Sequence, residues 1–218
     1  MIKIFFSTLR KFFLLACVFC ISISCFAQRN ETKAIHSSFE SYRAAVLTDN
    51  GDAAIKYIDS KTIQYYNDLL VTIKKSDSSS IVTLPFLDLF MALAIRHTAG
   101  PNELHSFDGK SLLIYAIENG LVGKNSIESN ELGDLEISGE MAKCAFISNG
   151  QVTGSFLNFY RENEVWKMDL TSLFDYTNDI FDKIISSGKR TNVEFAIHLI
   201  ETLTNSKVKP EVWRPVLN

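Results

Sequence analysis

Residues 131–170 read ELGDLEISGEMAKCAFISNGQVTGSFLNFYRENEVWKMDL, and this stretch decides the fold. Apolar and polar residues alternate along much of it, which is typical of strands with one buried face. Asn149-Gly150 and Glu162-Asn163 mark turns between apolar runs, and Asn-Gly is a strong hairpin signal. We therefore predict four strands in an antiparallel meander. They cover residues 131–138, 140–148, 151–161 and 164–170.

The last of these strands shows the alternation most clearly. Trp166 and Met168 point to one side of it, and Lys167 and Asp169 point to the other. The apolar side of such a sheet must be covered, and the segments around it that are apolar and long enough to do so have helical periodicity.

Five helices are predicted before the sheet, from apolar residues spaced three or four apart. They cover about residues 31–48, 53–58, 60–75, 85–98 and 110–119. A left-handed residue at Asn50 or Gly51 is expected to end the first helix, and Asp52 is expected to cap the second. The helix after Pro85 is apolar around nearly its whole circumference, which predicts burial on several sides.

Two further helices are predicted after the sheet, over residues 172–187 and 192–203. The inner face of the first would consist of Ile180, Phe181, Ile184 and Ile185. An extended tail follows, in which Trp213 would pack back on the body. The predicted class is α+β, with N-terminal helices packed on a curved antiparallel sheet and C-terminal helices after it.

This order of elements resembles the nuclear transport factor 2-like, or cystatin-like, α+β barrel. The resemblance covers Glu31 to Leu170 and is carried by the helix-turn at Leu47–Asp52, the Arg96-His97 pair that closes a buried helix, and the strand ending at Trp166–Leu170. It implies a bent sheet that wraps a long helix into a cone-shaped barrel with a cavity at its wide end.

The tail is similar to a subgroup of exported bacterial proteins of unknown role that end in a Pro-x-x-Trp-x-Pro segment, here Pro210, Trp213 and Pro215. The superfamily includes isomerases, dehydratases, polyketide cyclases and many non-enzymatic binding modules, so the fold does not settle the function. No known catalytic set of the family aligns residue by residue with this chain.

The N-terminal segment has the pattern of a secretion signal. Lys3, Arg10 and Lys11 precede an uncharged apolar run over residues 12–27. Sixteen helical residues span roughly 24 Å, which is short of the about 30 Å hydrocarbon core of a bilayer. We expect residues 1–27 to be a signal peptide cleaved between Ala27 and Gln28, leaving residues 28–218 as a single periplasmic or secreted domain.

The alternative to cleavage is lipidation, because the residues before Cys25 and before Cys17 faintly resemble lipobox motifs. The first lacks the usual aliphatic residue at its start, and the second would leave an apolar tail on the mature protein. Cleavage at Ala27 leaves Cys144 as the single cysteine, so the mature domain has no intramolecular disulfide and is held by its core.

Charge and motifs exclude several classes of function. Without the three bases of the signal segment the chain has 19 basic and 25 acidic residues, and no basic patch predicts nucleic-acid binding. His36, His105 and His198 lack the spacing of a metal site, and no phosphate loop, nucleophile elbow or dinucleotide motif occurs. The sequence therefore predicts no cofactor.

His97 is the first candidate for chemistry. If it faced a cavity beside Asp169 or Asp134, an imidazole and a carboxylate could share acid–base work. The alternative is that Arg96 and His97 neutralise carbonyls at the end of their helix. For Asp169, the alternative to a catalytic role is that it is exposed to solvent or caps the next helix.

Asn158 and Tyr160 share one face of the third strand. They could offer polar groups to a ligand, together with Arg96 and His97, or could simply lie on the outer side of an amphipathic sheet. Cys144 lies on a face with apolar neighbours, which favours an inert buried thiol over a nucleophile.

Three hypotheses about function remain. The first is a non-catalytic binding module of the cell envelope that holds a small apolar ligand or a protein partner, with homodimerisation through the sheet face as one form of partnership. The second is a small-molecule isomerase, dehydratase or hydrolase that uses His97 with a carboxylate. The third is a lipid-anchored structural component. A complete core pattern without a catalytic motif favours the first.

Overall fold

The computed structural model describes residues 29–122 and 124–216. The predicted signal segment, its cleavage point between Ala27 and Gln28, and the alternative lipid sites at Cys17 and Cys25 lie outside these residues. The described chain is an α+β structure whose helices and sheet share one hydrophobic core. Among these residues, no helix has both the length and the apolar character needed to cross a membrane.

The predicted meander is confirmed. Its strands are β1 Asn130–Ser138, β2 Met141–Ser148, β3 Gln151–Glu162 and β4 Val165–Asp169, in the order β1-β2-β3-β4 with antiparallel neighbours. Asn149 and Gly150 have φ of 51° and 71°, as a two-residue hairpin turn requires. The last turn lies one residue later than predicted, at Asn163-Glu164, because Glu162 still pairs with Val165.

The sheet is irregular and open. The pairing register shifts between Leu132 and Leu135 in β1 and between Val152 and Phe156 in β3, where each strand has more residues than its partner in β2, and such bulges bend a strand and increase its twist. Strands β1 and β4 are the two edges of the sheet and do not pair with each other. The structure therefore has a four-stranded antiparallel sheet that is not closed into a barrel.

Helices both precede and follow the sheet along the chain. Those before it are α1 (residues 29–47), α2 Gly51–Ala54, α3 Ser60–Lys75, α4 Ser78–Ile81, α5 Phe86–Thr98, α6 Pro101–Ser106, α7 Gly109–Glu118 and α8 Lys124–Glu128. Those after it are α9 Phe174–Ser187 and α10 Asn192–Thr204. Short 3₁₀ segments lie at Ile55–Tyr57, Leu170–Leu173 and Pro210–Trp213.

The helices α4, α6 and α8 were not predicted. With four to six residues, each is too short to show an apolar stripe. The second predicted helix begins earlier than expected, because Asn50 and not Asp52 is its cap and accepts a hydrogen bond from the backbone N–H of Ala53. The left-handed residue before it is Asp49, with φ of 53°.

One face of the sheet, here called the inner face, is buried in the core that the helices and the sheet share. The inner face consists of the buried side chains of Ala142, Cys144, Leu157, Phe159, Trp166 and Met168. Helix α5 is buried along most of its length, as predicted. The indole N–H of Trp166 donates to Glu31 Oε2 at 2.6 Å, which ties α1 to β4. The opposite side of the sheet is called the outer face.

The two C-terminal helices pack on α5. The rings of Phe181 in α9 and Phe86 in α5 have centroids 4.6 Å apart. The predicted inner face of α9 is only partly buried, since Ile185 is 5% exposed but Ile184 is 44% exposed. Trp213 packs against the core from the tail, as predicted.

Candidate functional site

The residues singled out from the sequence fall into two separate groups. Arg96 and His97 lie in the last turn of helix α5 and contact the C-terminal tail. Asn158, Tyr160 and Asp169 lie on β3 and β4, on the outer face of the sheet. No hydrogen bond or ion pair between described residues joins the two groups, so their chemistry is considered separately.

Arg96 is buried and binds three carbonyl groups. Its guanidinium donates to Ile73 O at 2.7 Å, to Ser76 O at 2.6 Å and to Val212 O at 2.8 Å. Burial lowers its pKa. It does bond carbonyls at a helix end, as the structural alternative supposed, but two of the three belong to the end of α3 and one to the tail.

His97 is also buried, and both of its ring nitrogens have partners. Nε2 lies 2.9 Å from Ser206 Oγ, and Nδ1 accepts the backbone N–H of Lys209 at 3.3 Å. Because Nδ1 accepts, the neutral ring carries its proton on Nε2. Neither Asp169 nor Asp134 is among its partners in the described chain. Arg96, His97 and these partners are called the tail anchor below.

The pKa of His97 is lowered. Burial is the main cause, and the charge of Lys209 acts in the same direction, whereas Glu201 acts against both. A neutral ring that accepts one hydrogen bond from the tail backbone fits a structural role. The structure thus supplies His97 with hydroxyl and backbone partners and not with the carboxylate that acid–base work would need.

Asp169 is fully buried, although it shares the outer face with Lys167. Of its two predicted structural roles, exposure is wrong, because the Nζ of Lys61 in α3 lies 2.7 Å from Asp169 Oδ2. Asp169 does stand at the N-cap position of the 3₁₀ segment Leu170–Leu173, although its side chain makes no cap hydrogen bond there. The hydroxyl of Thr171 also donates to this carboxylate. The hydrogen bond with Asp169 is the main reason why the pKa of Lys61 is raised.

Two rows of residues cross the outer face beside this pair. Asn158 stands between Lys143 and Asp169, and Tyr160 stands between Met141 and Lys167. The ammonium of Lys143 lies 3.8 Å from the ring centroid of Phe156. Asn158 Oδ1 is buried without a hydrogen-bond partner among the described residues. Asn158 and Tyr160 thus lie on the outer face, and the filled core lies on the other side of the sheet.

The start of α3 is tied to the same end of the sheet. Asp59 caps the helix by accepting the N–H of Thr62 at 2.9 Å, and its own N–H donates to Met168 O at 3.0 Å. Both the backbone N–H and the hydroxyl of Ser60 donate to Glu162 Oε1, at 2.9 and 2.6 Å. The start of α3 is therefore held to the last residue of β3, Glu162, and to the last two residues of β4, Met168 and Asp169.

Two carboxylates in this region have shifted pKa values of opposite sign. Burial raises the pKa of Asp59, and the nearby charges of Asp169 and Glu162 add to this, although hydrogen bonds from Thr62 offset part of it. Burial alone would raise the pKa of Glu162 as well. Hydrogen bonds from Ser60 and Lys167 outweigh that effect and lower it.

A cleft of about 370 Å³ opens beside this junction. It lies between the segment from Ile55 to Asn67, the first turn of α7 and the end of the β3–β4 hairpin. We call it the lysine cleft. Its lining consists of Ile55, Lys56, Ile58, Ser60, Ile63, Gln64, Asn67, Lys110, Glu162 and Lys167.

The close approach of α7 to α3 builds one wall of the lysine cleft. Gly109 donates its N–H to Asn67 Oδ1 at 2.6 Å. A Cβ atom at Gly109 would lie 2.5 Å from the backbone N of Asn67 and closer still to the carbonyl of Ile63. Glycine at this position therefore lets the first turn of α7, with Lys110, lie directly against α3.

Sequence reasoning missed Lys56, Lys110 and Lys61. Each occupies an ordinary exposed helical position in a predicted helix, and no motif links them. Lys167 was noticed only as an outward residue of its strand. The one available signal is the glycine directly after the Asp108 cap, which indicates a close helix contact at Lys110.

The last candidates to consider are the thiol of Cys144 and a metal site. Cys144 is fully buried, as predicted, and burial raises its pKa to about 11. Among the described residues, no group of three or more His, Cys, Asp or Glu side chains is arranged to hold a metal ion.

Comparison with protein-family models, with curated proteins and with solved structures finds no match to this chain. The class defined by fold and site is therefore an α+β domain with an open antiparallel sheet and a lysine-lined cleft beside it.

Proposed function

We propose that this chain is an exported, non-catalytic binding module that holds a small ligand in the lysine cleft, beside the sheet and not inside it. One observation carries the proposal: the cleft combines an apolar floor with polar groups, and two of its charged side chains, Lys56 and Lys110, have no partner among the described residues. Binding sites in proteins typically have this mixture and volumes of roughly 300–1,000 Å³.

The inner face of the sheet offers less room. Its central residues Cys144, Phe159 and Met168 are all fully buried in the common core. This filled face supports a ligand position outside the sheet.

The nuclear transport factor 2-like resemblance is part of the same proposal, with a curved open sheet forming one side of the cone in place of a closed barrel. It is supported by the order of the elements, with helices first and a meander after them, and by the bulges in β1 and β3, which would curve the sheet. Export is supported by the basic and apolar pattern of residues 1–27.

The enzyme alternative has less support. It requires His97 beside a carboxylate, and the partners of His97 are Ser206, Thr204 and the backbone of Lys209. The carboxylate of Asp169 is engaged by Lys61 and Thr171. In a non-catalytic module, the contacts of His97 and the contacts of Asp169 both have a structural role.

The proposal is tested by filling the cleft. Purified protein is incubated with an extract of small molecules, desalted, and examined by native mass spectrometry. Gln64 lines the cleft and is exposed, so Gln64→Trp should obstruct it without disturbing the core. The matched control is Val71→Trp, because Val71 lies on the same helix, is 51% exposed and does not line the cleft.

We expect the wild type and Val71→Trp to retain a bound mass that Gln64→Trp loses. The proposal fails if the wild type retains nothing, or if all three proteins retain the same ligand equally.

A second candidate is homodimerisation through the outer face of the sheet. Met141, Phe156 and Val165 are 38, 40 and 39% exposed on this face. Exposed apolar side chains grouped on one face are typical of protein–protein contact surfaces. Sedimentation velocity of the wild type and of Phe156→Glu tests it. A concentration-dependent dimer that the variant abolishes supports this candidate, and a wild type that is monomeric at every concentration rejects it.

A further inference from the structure

The three lysines of the cleft come from three distant parts of the chain. Lys56 lies in the 3₁₀ segment after α2, Lys110 in the first turn of α7, and Lys167 in the middle of β4. Like charges at one cleft repel each other, and folding brings these three together although the chain as a whole has a formal charge of −3.

The partners of these lysines differ. Lys167 lies 3.3 Å from Glu162, whose other carboxylate oxygen accepts two hydrogen bonds from Ser60. Lys56 and Lys110 are exposed and have no ion pair or hydrogen bond with any described residue. Among the described residues that line the cleft, three are lysines and one, Glu162, is a carboxylate. The cleft therefore carries a local excess of positive charge on an acidic protein.

The floor of the lysine cleft is apolar. Ile63 is half-buried and offers most of the floor's apolar surface, because Ile55 and Ile58, which lie beneath it in the core, are only 7 and 1% exposed. Amide groups of Gln64 and Asn67 complete the lining. A simple inorganic anion gains nothing from isoleucines, and an uncharged apolar molecule gains nothing from free ammonium groups. The combination matches a molecule that has both parts.

We infer that the lysine cleft binds a small organic acid, with its carboxylate between Lys56 and Lys110 and its apolar body on the isoleucine floor. This inference rests on the proposed function and names the chemical class of its ligand. A cleft of about 370 Å³ lies near the lower end of ligand sites, which favours a short apolar body over a whole membrane lipid.

The test titrates the purified protein with three probes and follows backbone amide shifts by nuclear magnetic resonance. The probes are sodium octanoate, 1-octanol and inorganic phosphate. We expect octanoate to shift the amide signals of Lys56, Ile63, Asn67 and Lys110 to saturation. Octanol and phosphate, which each lack one of the two parts, should bind at least about tenfold more weakly, which corresponds to about 1.4 kcal/mol.

A double variant identifies the groups that hold the carboxylate. Lys56→Met combined with Lys110→Met removes two exposed, unpaired charges, so the fold should be unaffected. Its affinity for octanoate should fall by about tenfold and lose most of its dependence on salt. The matched control is Lys33→Met with Lys75→Met, two exposed lysines away from the cleft, and it should bind octanoate as the wild type does.

Two results overturn the inference. If octanoate and octanol bind equally well, the cleft recognises apolar surface alone, and the proposed function survives while its anionic ligand does not. If octanoate shifts no cleft residue in the wild type, an organic acid of this size is not the ligand, and retention of another mass by the wild type but not by Gln64→Trp would still support the binding module.

Discussion

Arg96 in the tail anchor and the lysines of the cleft carry the same charge, but their surroundings use that charge differently. Arg96 is buried and gives its hydrogen bonds to three backbone carbonyls of its own chain. Lys56 and Lys110 are exposed and have no partner among the described residues. A buried cation that donates three hydrogen bonds to the protein backbone holds structure together, whereas unpaired cations at an apolar cleft are available to a ligand.

The comparison predicts that losing Arg96 has the largest effect on stability. Arg96→Met should lower the free energy of unfolding by about 3 kcal/mol or more, because each buried carbonyl left without a donor costs about 1–3 kcal/mol. Urea denaturation measures this value. Arg214→Met is the matched control, since Arg214 is exposed on the same tail and makes no side-chain hydrogen bond in the described chain, and it should change stability little.

Arg96→Lys sharpens the same point. A lysine keeps the charge but cannot present three donors in the fixed geometry of a guanidinium, so most of the loss should remain. If Arg96→Lys were as stable as the wild type, a positive charge alone would stabilise this region, and the three directed hydrogen bonds of Arg96 would not be needed.

The wall of the lysine cleft should be the next most sensitive feature. Gly109→Ala places a Cβ 2.5 Å from the backbone N of Asn67, and relieving this overlap requires α7 to move away from α3. We expect a loss of about 1–3 kcal/mol in thermal or urea unfolding, together with altered amide signals around Lys110. Gly100→Ala is the control, because its Cβ would meet only Glu103, at 3.4 Å. Equal effects of the two substitutions would contradict the close packing of α3 and α7.

The sheet and the helix starts could be predicted because their signals are local. Turn residues such as Asn149-Gly150 and caps such as Asp59 and Asp108 act within four residues of where they stand. The short helix α6 was missed because six residues cannot show a stripe.

The site was harder to predict because it depends on distant parts of the chain. Lys56, Lys110 and Lys167 look like ordinary surface lysines until folding brings them to one cleft. The burial of Asp169 depends in the same way on Lys61, which stands 108 positions earlier in the sequence. Alternation within β4 could indicate the face of Asp169 but not what covers that face.

The ion pair of Lys61 and Asp169 is intermediate between the tail anchor and the lysine cleft, because it joins a buried carboxylate to an ammonium that is 62% exposed. Lys61→Met should lower stability by about 1–2 kcal/mol, less than for a fully buried pair, because solvent screens the exposed partner and Thr171 still donates to Asp169. Lys56→Met, which removes an unpaired lysine, should leave the unfolding free energy unchanged. If both variants lost the same stability, Lys56 would have a structural role and could not be counted as available to a ligand.

The smallest expected effect is the pH dependence contributed by His97. An unfolded histidine has a pKa of about 6.5, and burial together with the charge of Lys209 lowers the value in the folded protein, with Glu201 opposing. Above about pH 6.5 the ring is neutral in both states and its contribution to stability is complete. As the pH falls below this value, the unfolded chain binds a proton before the folded one does, so the free energy of unfolding decreases. Urea unfolding between pH 5 and pH 7 should show this decrease in the wild type and in His198→Gln, whose histidine is exposed, but a shallower slope in His97→Gln. Equal slopes in all three proteins would mean that the bonds of His97 to the tail do not favour its neutral form. The contrast between the tail anchor and the lysine cleft would then rest on the hydrogen bonds of Arg96 alone.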